Sequence, residues 1–466
     1  MTMSSLDVGR QSPRDPYGAL FRQMMLPAWE RLRRRPTLEH LADLERSQWW
    51  SLDRLLARQV EDLRALLRHA RANVPFYRAR MDAAGVSPDD IRDVADIRKL
   101  PLLCRDVARA AGRTWQSTAP PLAVIRKSTG GTTGDPLVFG YDLGSEWWRQ
   151  AMKLRGYAWS GYRPGDRTVH YWGRPLAAPP PWQTRTKIAL DRLFRRDYYL
   201  DCTRADLPGA VEFIKREKPQ LIVCYTLAGA ALARYVVDNG LRSWGTIPVI
   251  CAAEKLYEVD RQALIQAFGP AVFDTYGSRE VMLIAAECSA HDGLHVSMEN
   301  LLVEIIVREG GRERPALPGE EGDVVITDLH NYGMPFIRYL NGDRAVAASP
   351  DRCACGRALV RLKSIEGRQA DLLRDTAGRP VSGILFSVMF SYPPMSERVC
   401  GWQAIQHKDG SVTVKLVPNA RFTEADQRKV AADVSERLCG QRVEVELVRE
   451  IAPCHNGKRR VVIVES

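Results

Sequence analysis

The sequence has no uninterrupted apolar run of about 18 residues, so a membrane-spanning helix is not expected. Its opening stretch is polar and lacks the apolar core of a secretory signal. Residues 1–16 read as a disordered lead-in, and the cytoplasm is the expected location. Internal repeats and low-complexity segments are absent too. The net charge is +11, yet the arginines are spread along the chain, the densest run (Arg31 to Arg35) is short, and no basic stripe interleaves with aromatics. A nucleic-acid partner is therefore not expected, and an arginine-rich solvated surface also suits small anions. Nor is cysteine arranged as a framework. The 10 cysteines are widely scattered, and most of them should be small core residues.

What is present is core-forming material. The chain has 466 residues, 45% of them hydrophobic and 26% charged, enough for two or three domains. From about residue 17 to 115 the texture is helical, with Leu52, Leu55, Leu56, Val60, Leu63, Leu66 and Leu67 at helical spacing until Pro75 breaks the pattern. Further on, the apolar runs Leu221 to Tyr225 and Ile247 to Ala252 read as buried strands, and Leu227 to Val237 and Val259 to Phe268 as helices. This alternation predicts an α/β core with parallel strands. Val303 to Val307 and Gly322 to Thr327 open a second strand-rich section. In the last hundred or so residues, Gln403 to Gln406, Val412 to Leu416 and Val443 to Val448 predict strands of a small α+β unit. A helix from Thr423 to Leu438 would pack on them, opened by a hydroxyl cap with an acid three residues later. The boundary is placed near Gly367 to Asp371.

The strongest local signal is Lys127-Ser128-Thr129-Gly130-Gly131-Thr132-Thr133-Gly134-Asp135-Pro136-Leu137. Glycines let a backbone approach an anion closely, and successive N–H groups with Ser and Thr hydroxyls can cradle phosphate oxygens. The loop lacks the Gly-Lys-Ser/Thr ending of a Walker P-loop, so it is not that motif, and its residues alone fit either a phosphate cradle or an exposed flexible turn.

This segment resembles the phosphate loop of adenylate-forming enzymes, in the branch of phenylacetate–coenzyme A ligases and their capsule-biosynthesis relatives. Further segments match in the family's order: Ala253-Glu254-Lys255 (adenine-side loop), Tyr276-Gly277-Ser278-Arg279-Glu280, Arg338-Tyr339-Leu340-Asn341-Gly342-Asp343, Ile365-Glu366-Gly367-Arg368 (hinge) and Gly457-Lys458-Arg459-Arg460. The early helix ending in Val74-Pro75-Phe76-Tyr77 is similar as well. The resemblance implies an α/β fold. A large N-terminal adenylate-forming domain (residues 17–369, mixed or parallel sheets with helices) would carry the ATP and acyl sites. A small, mobile α+β C-terminal domain (residues 370–466) would carry the catalytic lysine.

It also implies an activity: a carboxylic acid, aryl or short acyl, is activated by ATP as acyl-AMP with release of pyrophosphate, then joined to coenzyme A as a thioester. Ser128, Thr129, Gly130, Gly131, Thr132, Thr133 and Gly134 would hold the phosphates. Glu280 would ligate Mg²⁺, a hard cation that prefers carboxylate oxygen. Tyr276 would pack on adenine with Glu254, Gly277 and Ser278 nearby, Asp343 would accept the ribose hydroxyls, and Arg368 would lie near ribose and phosphates. Lys458, a mobile point charge, would bridge the attacking carboxylate and the α-phosphate, so that Lys458, Glu280 and Thr133 are the catalytic set. Phe139, Trp172, Ala252, Ala253 and Ser278 could line the acyl pocket. The family often has an acid two residues after the hinge Arg; here that position is Ala370, and Asp371 follows.

Cys288-x-x-His291 and Cys353-x-Cys355 together supply four ligands, the number a structural Zn²⁺ requires, with His295 competing for the place of His291. Some relatives in this branch carry such a clip. Two other readings stay open: an adenylating enzyme that delivers its acyl group to a carrier protein, a sugar or an amine, and a non-catalytic zinc-bearing scaffold. The joint presence of Thr133, Glu280, Asp343 and Lys458 argues against the scaffold. The expected partners are small molecules, with a homodimer as the one protein contact.

Overall fold

The structure is a computed structural model describing residues 15–119, 124–128, 137–172, 182–202, 206–310, 312–367, 372–378, 380–382, 386, 389–390, 395, 398–451 and 462–465. The helical N-terminal region forms as the spacing predicts. Ser51 caps the helix Leu52–Asn73 by accepting from the Arg54 N–H. Leu55, Leu63, Leu66, Leu67 and Ala70 make its buried stripe. Pro75 stops it and, having no N–H to lose, opens the helix Pro75–Ala84. Gly85, at φ +63°, ends that helix.

The ribbon β1 (Val124–Ser128) and β2 (Val138–Asp142) is antiparallel. The next strands are parallel: β3 (Thr168–Trp172), β4 (Asp197–Asp201), β5 (Leu221–Tyr225), β6 (Val249–Ala252) and β7 (Val272–Ser278). β5 and β6 are almost wholly buried, as expected of strands covered on both faces. β6 starts two residues later than the apolar run suggests because Pro248 has no N–H for the ladder. The helices Leu207–Glu217, Thr226–Asp238 and Glu258–Phe268 cover one face, sharing a core with Val169, Ile222, Val249 and Val272.

From β7 the sheet turns antiparallel through β8 (Met282–Glu287), β9 (Leu294–Val296), β10 (Leu301–Glu309), β11 (Arg312–Pro315), β12 (Glu321–Asp328), β13 (Tyr339–Ala347) and β14 (Arg361–Gly367). The full order is β11-β10-β12-β13-β14-β9-β8-β7-β6-β5-β3-β4, a mixed sheet of 12 strands. The helix Leu143–Ala158 is fixed to β12 and to the β9–β10 turn by two buried ion pairs, Arg149–Asp328 and Arg155–Glu299, each at 2.6 Å. Breaking either would strand a buried charge.

The C-terminal strands keep a separate core. β15 (Leu372–Arg374) pairs with β16 (Pro380–Ser382). β17 (Val399–Gln406), β18 (Val412–Pro418), β19 (Val443–Leu447) and β20 (Val462–Val464) form a sheet of order β19-β18-β17-β20. Val430 and Val434 of the helix Glu424–Arg437 pack on Ala404, Val414 and Leu416. Thr423 and Asp426 form the reciprocal capping box read from the sequence. Among the described residues no helix is long and apolar enough to cross a membrane.

Candidate active site

Because β3, β4, β5 and β6 run parallel, their last residues (Trp172, Asp201, Tyr225 and Ala252) lie along one edge of the sheet, where open α/β sheets bind ligands. The rings of Trp172 and Tyr225 meet at 4.2 Å between centroids. Past Ala252 the chain turns sharply. Ala253 takes φ +71°, a strained value for a residue with a Cβ. Thr226 holds the turn, its hydroxyl donating to the carbonyls of Glu254 at 3.0 Å and Ala252 at 3.4 Å. Lys255 Nζ then donates to Glu366 Oε2 at 2.5 Å.

Beyond this edge β7 carries Tyr276, Gly277 and Ser278 into its hairpin with β8. A Cβ on Gly277 would stand 2.3 Å from the Met282 carbonyl oxygen, so glycine is what lets the hairpin close. The Ser278 hydroxyl oxygen is buried with no hydrogen-bond partner among the described residues. Tyr276 Oη donates to Asp343 Oδ2 at 2.7 Å, and Asn341 Nδ2 donates to Tyr276 Oη at 2.7 Å and to Asp343 Oδ2 at 2.9 Å, closing a triangle. Asp343 lies on β13, so this triangle joins the two halves of the sheet. Tyr339, also on β13, donates its hydroxyl to the buried Glu280 carboxylate at 3.3 Å. Burial, helped by the Glu280 charge, pushes the Tyr339 phenol well above its ordinary range, which keeps it a donor. Arg338 is buried at φ +50° and spends its guanidinium on Glu304, Glu313 and the Leu100 carbonyl, which makes it a structural clamp.

A second cluster lies at the other end of β8. Single ligand atoms of Cys288, His295, Cys353 and Cys355 fall within 4.8 Å of one another. Cys288 and Cys353 sulfurs are 3.8 Å apart, and His295 Nε2 is 3.3 Å from Cys355 Sγ. The sulfur contact with Cys288, together with His295 and Arg357, holds the Cys355 thiol far below its usual range against the opposing effect of burial. The fourth corner expected from His291 belongs instead to His295. Antiparallel pairing sets His295 opposite Ala286, close to Cys288. His291 stands in the connecting turn at φ +51°, with Nδ1 3.1 Å from Glu287.

Other expected site residues fall elsewhere. Phe139 is fully buried in the core against Phe336, at 5.6 Å between rings, and is not part of the Trp172–Ala252 edge. Ser128 is the last residue of β1. Thr129, Gly130, Gly131, Thr132, Thr133, Gly134, Arg368, Ala370, Asp371 and Lys458 lie outside the described residues.

Phenylacetate–coenzyme A ligase of Aromatoleum evansii is 31% identical over 343 residues, 71% of this chain and 74% of that protein. The chain belongs to the phenylacetate–coenzyme A ligase family. The Escherichia coli K12 member is 29% identical over 346 residues, covering 69% of this chain and 73% of that protein. Residues 373–465 match the CapK C-terminal domain. Among solved structures, 2-hydroxyisobutyryl-CoA ligase in its postadenylation state with R3-HIB-AMP has a TM-score of 0.59 at 19% identity, covering 90% of this chain and 91% of that one. The same ligase with 2-HIB-AMP and CoA in the thioesterification state gives 0.58 at 18% identity, covering 90% and 91%. At these identities the likeness is one of fold, that of adenylate-forming enzymes.

The family motifs carried more than sequence reading assigned to them. Asn341 sits inside the Arg-Tyr-x-x-Gly-Asp stretch, and its amide is the third corner of the Tyr276–Asp343 triangle. Tyr339 in the same stretch proves to be the partner of Glu280. Tyr225, beside Trp172, ends an apolar strand and could have been found from its place there.

Proposed function

We propose that this member of the phenylacetate–coenzyme A ligase family activates a carboxylic acid with ATP and passes the acyl group to coenzyme A in the cytoplasm. The observation that carries the reading is the Tyr276–Asn341–Asp343 triangle beside Glu280, at the carboxyl edge of the parallel strands. In the first step a carboxylate oxygen attacks the α-phosphorus, the bond to the β-phosphate breaks and pyrophosphate leaves. In the second the thiol sulfur attacks the acyl carbonyl, AMP departs with the carboxylate oxygen, and the thiol proton passes to solvent.

Tyr276 presents its ring to adenine while its hydroxyl orients Asp343 toward the ribose. The Ser128 to Gly134 loop cradles the phosphates, and Lys458 steers the carboxylate onto the α-phosphorus. Glu280 would hold Mg²⁺. Its carboxylate is buried beside a phenol and has no ion-pair partner among the described residues, so it fits a bound cation. Bound there, the cation would supply positive charge against the phosphates. Trp172, Tyr225 and Ala252 give the acyl end an aromatic and small-residue lining, suited to an aryl or short acyl acid.

Cys288, His295, Cys353 and Cys355 would hold a structural Zn²⁺. Sulfurs in a tetrahedral zinc site sit about 3.8 Å apart, and Cys288 and Cys353 are 3.8 Å apart. With four protein ligands such a site would leave no open position and would take no part in the chemistry.

Pyrophosphate release against a panel of aryl, fatty and hydroxy acids, phenylacetate first, tests the reading. Release that depends on the acid, with thioester appearing only when coenzyme A is added, is expected. No release with any acid would overturn it, and adenylates that coenzyme A cannot discharge would point to a carrier protein or an amine as acceptor.

A further inference from the structure

Lys255 and Glu366 have no role in the chemistry above, yet their side chains are bonded across 111 positions of sequence. Lys255 follows Glu254 on the loop that leaves the carboxyl end of β6. Glu366 is the next-to-last residue of β14, the strand by which the chain leaves the large sheet toward the C-terminal unit. The ammonium donates to Glu366 Oε2 at 2.5 Å, and Ser364 Oγ donates to Oε1 at 2.6 Å, so both carboxylate oxygens are engaged. The two side chains are 24% and 29% exposed, shielded enough for the charge pair to hold its geometry. Lys255 also lies over the Tyr257 ring, 5.2 Å from its centroid.

The loop bearing Lys255 has little slack. Ala253 is strained at φ +71°, and the Thr226 hydroxyl ties the carbonyls of Ala252 and Glu254. A ligand that shifts this backbone must therefore carry Glu366 along or stretch a short charge-assisted bond.

We propose that Lys255 and Glu366 form a positioning latch that fastens the nucleotide-side loop to the root of the C-terminal unit, so that filling the nucleotide site tightens that root. The inference rests on the reading of residues 253–255 as the nucleotide-side loop. It gives the chain a physical means of linking nucleotide occupancy to the placement of its C-terminal residues. The coupling belongs to the pair as a unit, since either partner alone leaves loop and strand unjoined.

Hydrogen exchange of the segment spanning residues 361–374 tests the latch in the full chain, with and without ATP. The proteins are the wild-type chain, Lys255→Ala, Glu366→Ala and the charge-reversed double variant Lys255→Glu/Glu366→Lys. ATP should slow exchange there about fivefold in the wild-type chain, the low end of ordinary site-to-site coupling. The slowing should vanish in both single variants, although calorimetry shows ATP still bound, and return in the reversed pair. A merely structural pair would lower the melting temperature of the single variants while leaving the ATP effect in place, and that result overturns the latch. So does unchanged exchange in the wild-type chain. If pyrophosphate release fails while the ATP effect and its rescue are seen, the latch stands and the ligase reading falls.

Discussion

At the scale of single residues, the candidate site rests on a few buried and half-buried polar groups that complete one another. Tyr276, Asn341 and Asp343 share three short hydrogen bonds, so removing one donor leaves the others imperfectly matched. Tyr276→Phe should cost about 1 kcal/mol of stability, read by denaturant unfolding, and, on the proposed reading of Asp343 as the ribose acceptor, should raise KM for ATP more than it lowers kcat. Glu280→Gln keeps the shape and the Tyr339 contact but loses the charge, and pyrophosphate release should drop by about a hundredfold. This constellation was partly legible in the sequence. A tyrosine, a glutamate and an aspartate stand at motif spacing, whereas the pairing of Asn341 with Tyr276 could not be read there, because the two meet only when β7 and β13 are brought together.

A pH effect belongs to this scale too. His330 is stacked on Trp148 at 4.2 Å with its side chain 14% exposed. Burial, then the charges of Arg58 and His40, push it down to about 3. Its folded value lies below its unfolded one, so as pH falls the unfolded chain takes up this proton first. The stability it contributes is complete above about pH 6.5 and is lost progressively toward about pH 3. Between about pH 7 and about pH 5, melting curves of His330→Gln should fall less than those of the wild-type chain; an equal fall would contradict the assignment.

At the scale of elements, the β7–β8 hairpin and the β8–β9 pairing set the site's geometry. Gly277→Ala forces a methyl against the Met282 carbonyl and should destabilise the chain by about 1–3 kcal/mol in denaturant unfolding, with the loss concentrated at the hairpin. The choice between His291 and His295 shows what local spacing can and cannot say. The Cys-x-x-His interval favours His291, but the register of two antiparallel strands puts His295 beside the cysteines and turns His291 toward Glu287. Purified protein should hold about one zinc per chain, and Cys353→Ser or His295→Ala should lose both the metal and several degrees of melting temperature while His291→Ala keeps the metal. The buried parallel strands were legible as apolar runs closed by Pro or a helix start. The antiparallel order from β8 to β14 was not, because it depends on which distant strands meet.

At the scale of the whole molecule, motifs in the family's order along most of the chain identify the architecture. The acid remains the least legible part. Trp172, Tyr225 and Ala252 become neighbours only through the parallel register of β3, β5 and β6, and Phe139, adjacent to the phosphate loop in sequence, goes to the core. The Lys255–Glu366 bond is similarly invisible to any reading by spacing. The central claim is that the acid itself attacks the α-phosphorus of ATP. Supplying an accepted acid labelled with ¹⁸O in its carboxylate, with ATP and coenzyme A, tests this directly by mass spectrometry of the products. One labelled oxygen should appear in AMP and none in pyrophosphate. Label in inorganic phosphate, or AMP formed without label, would contradict the account.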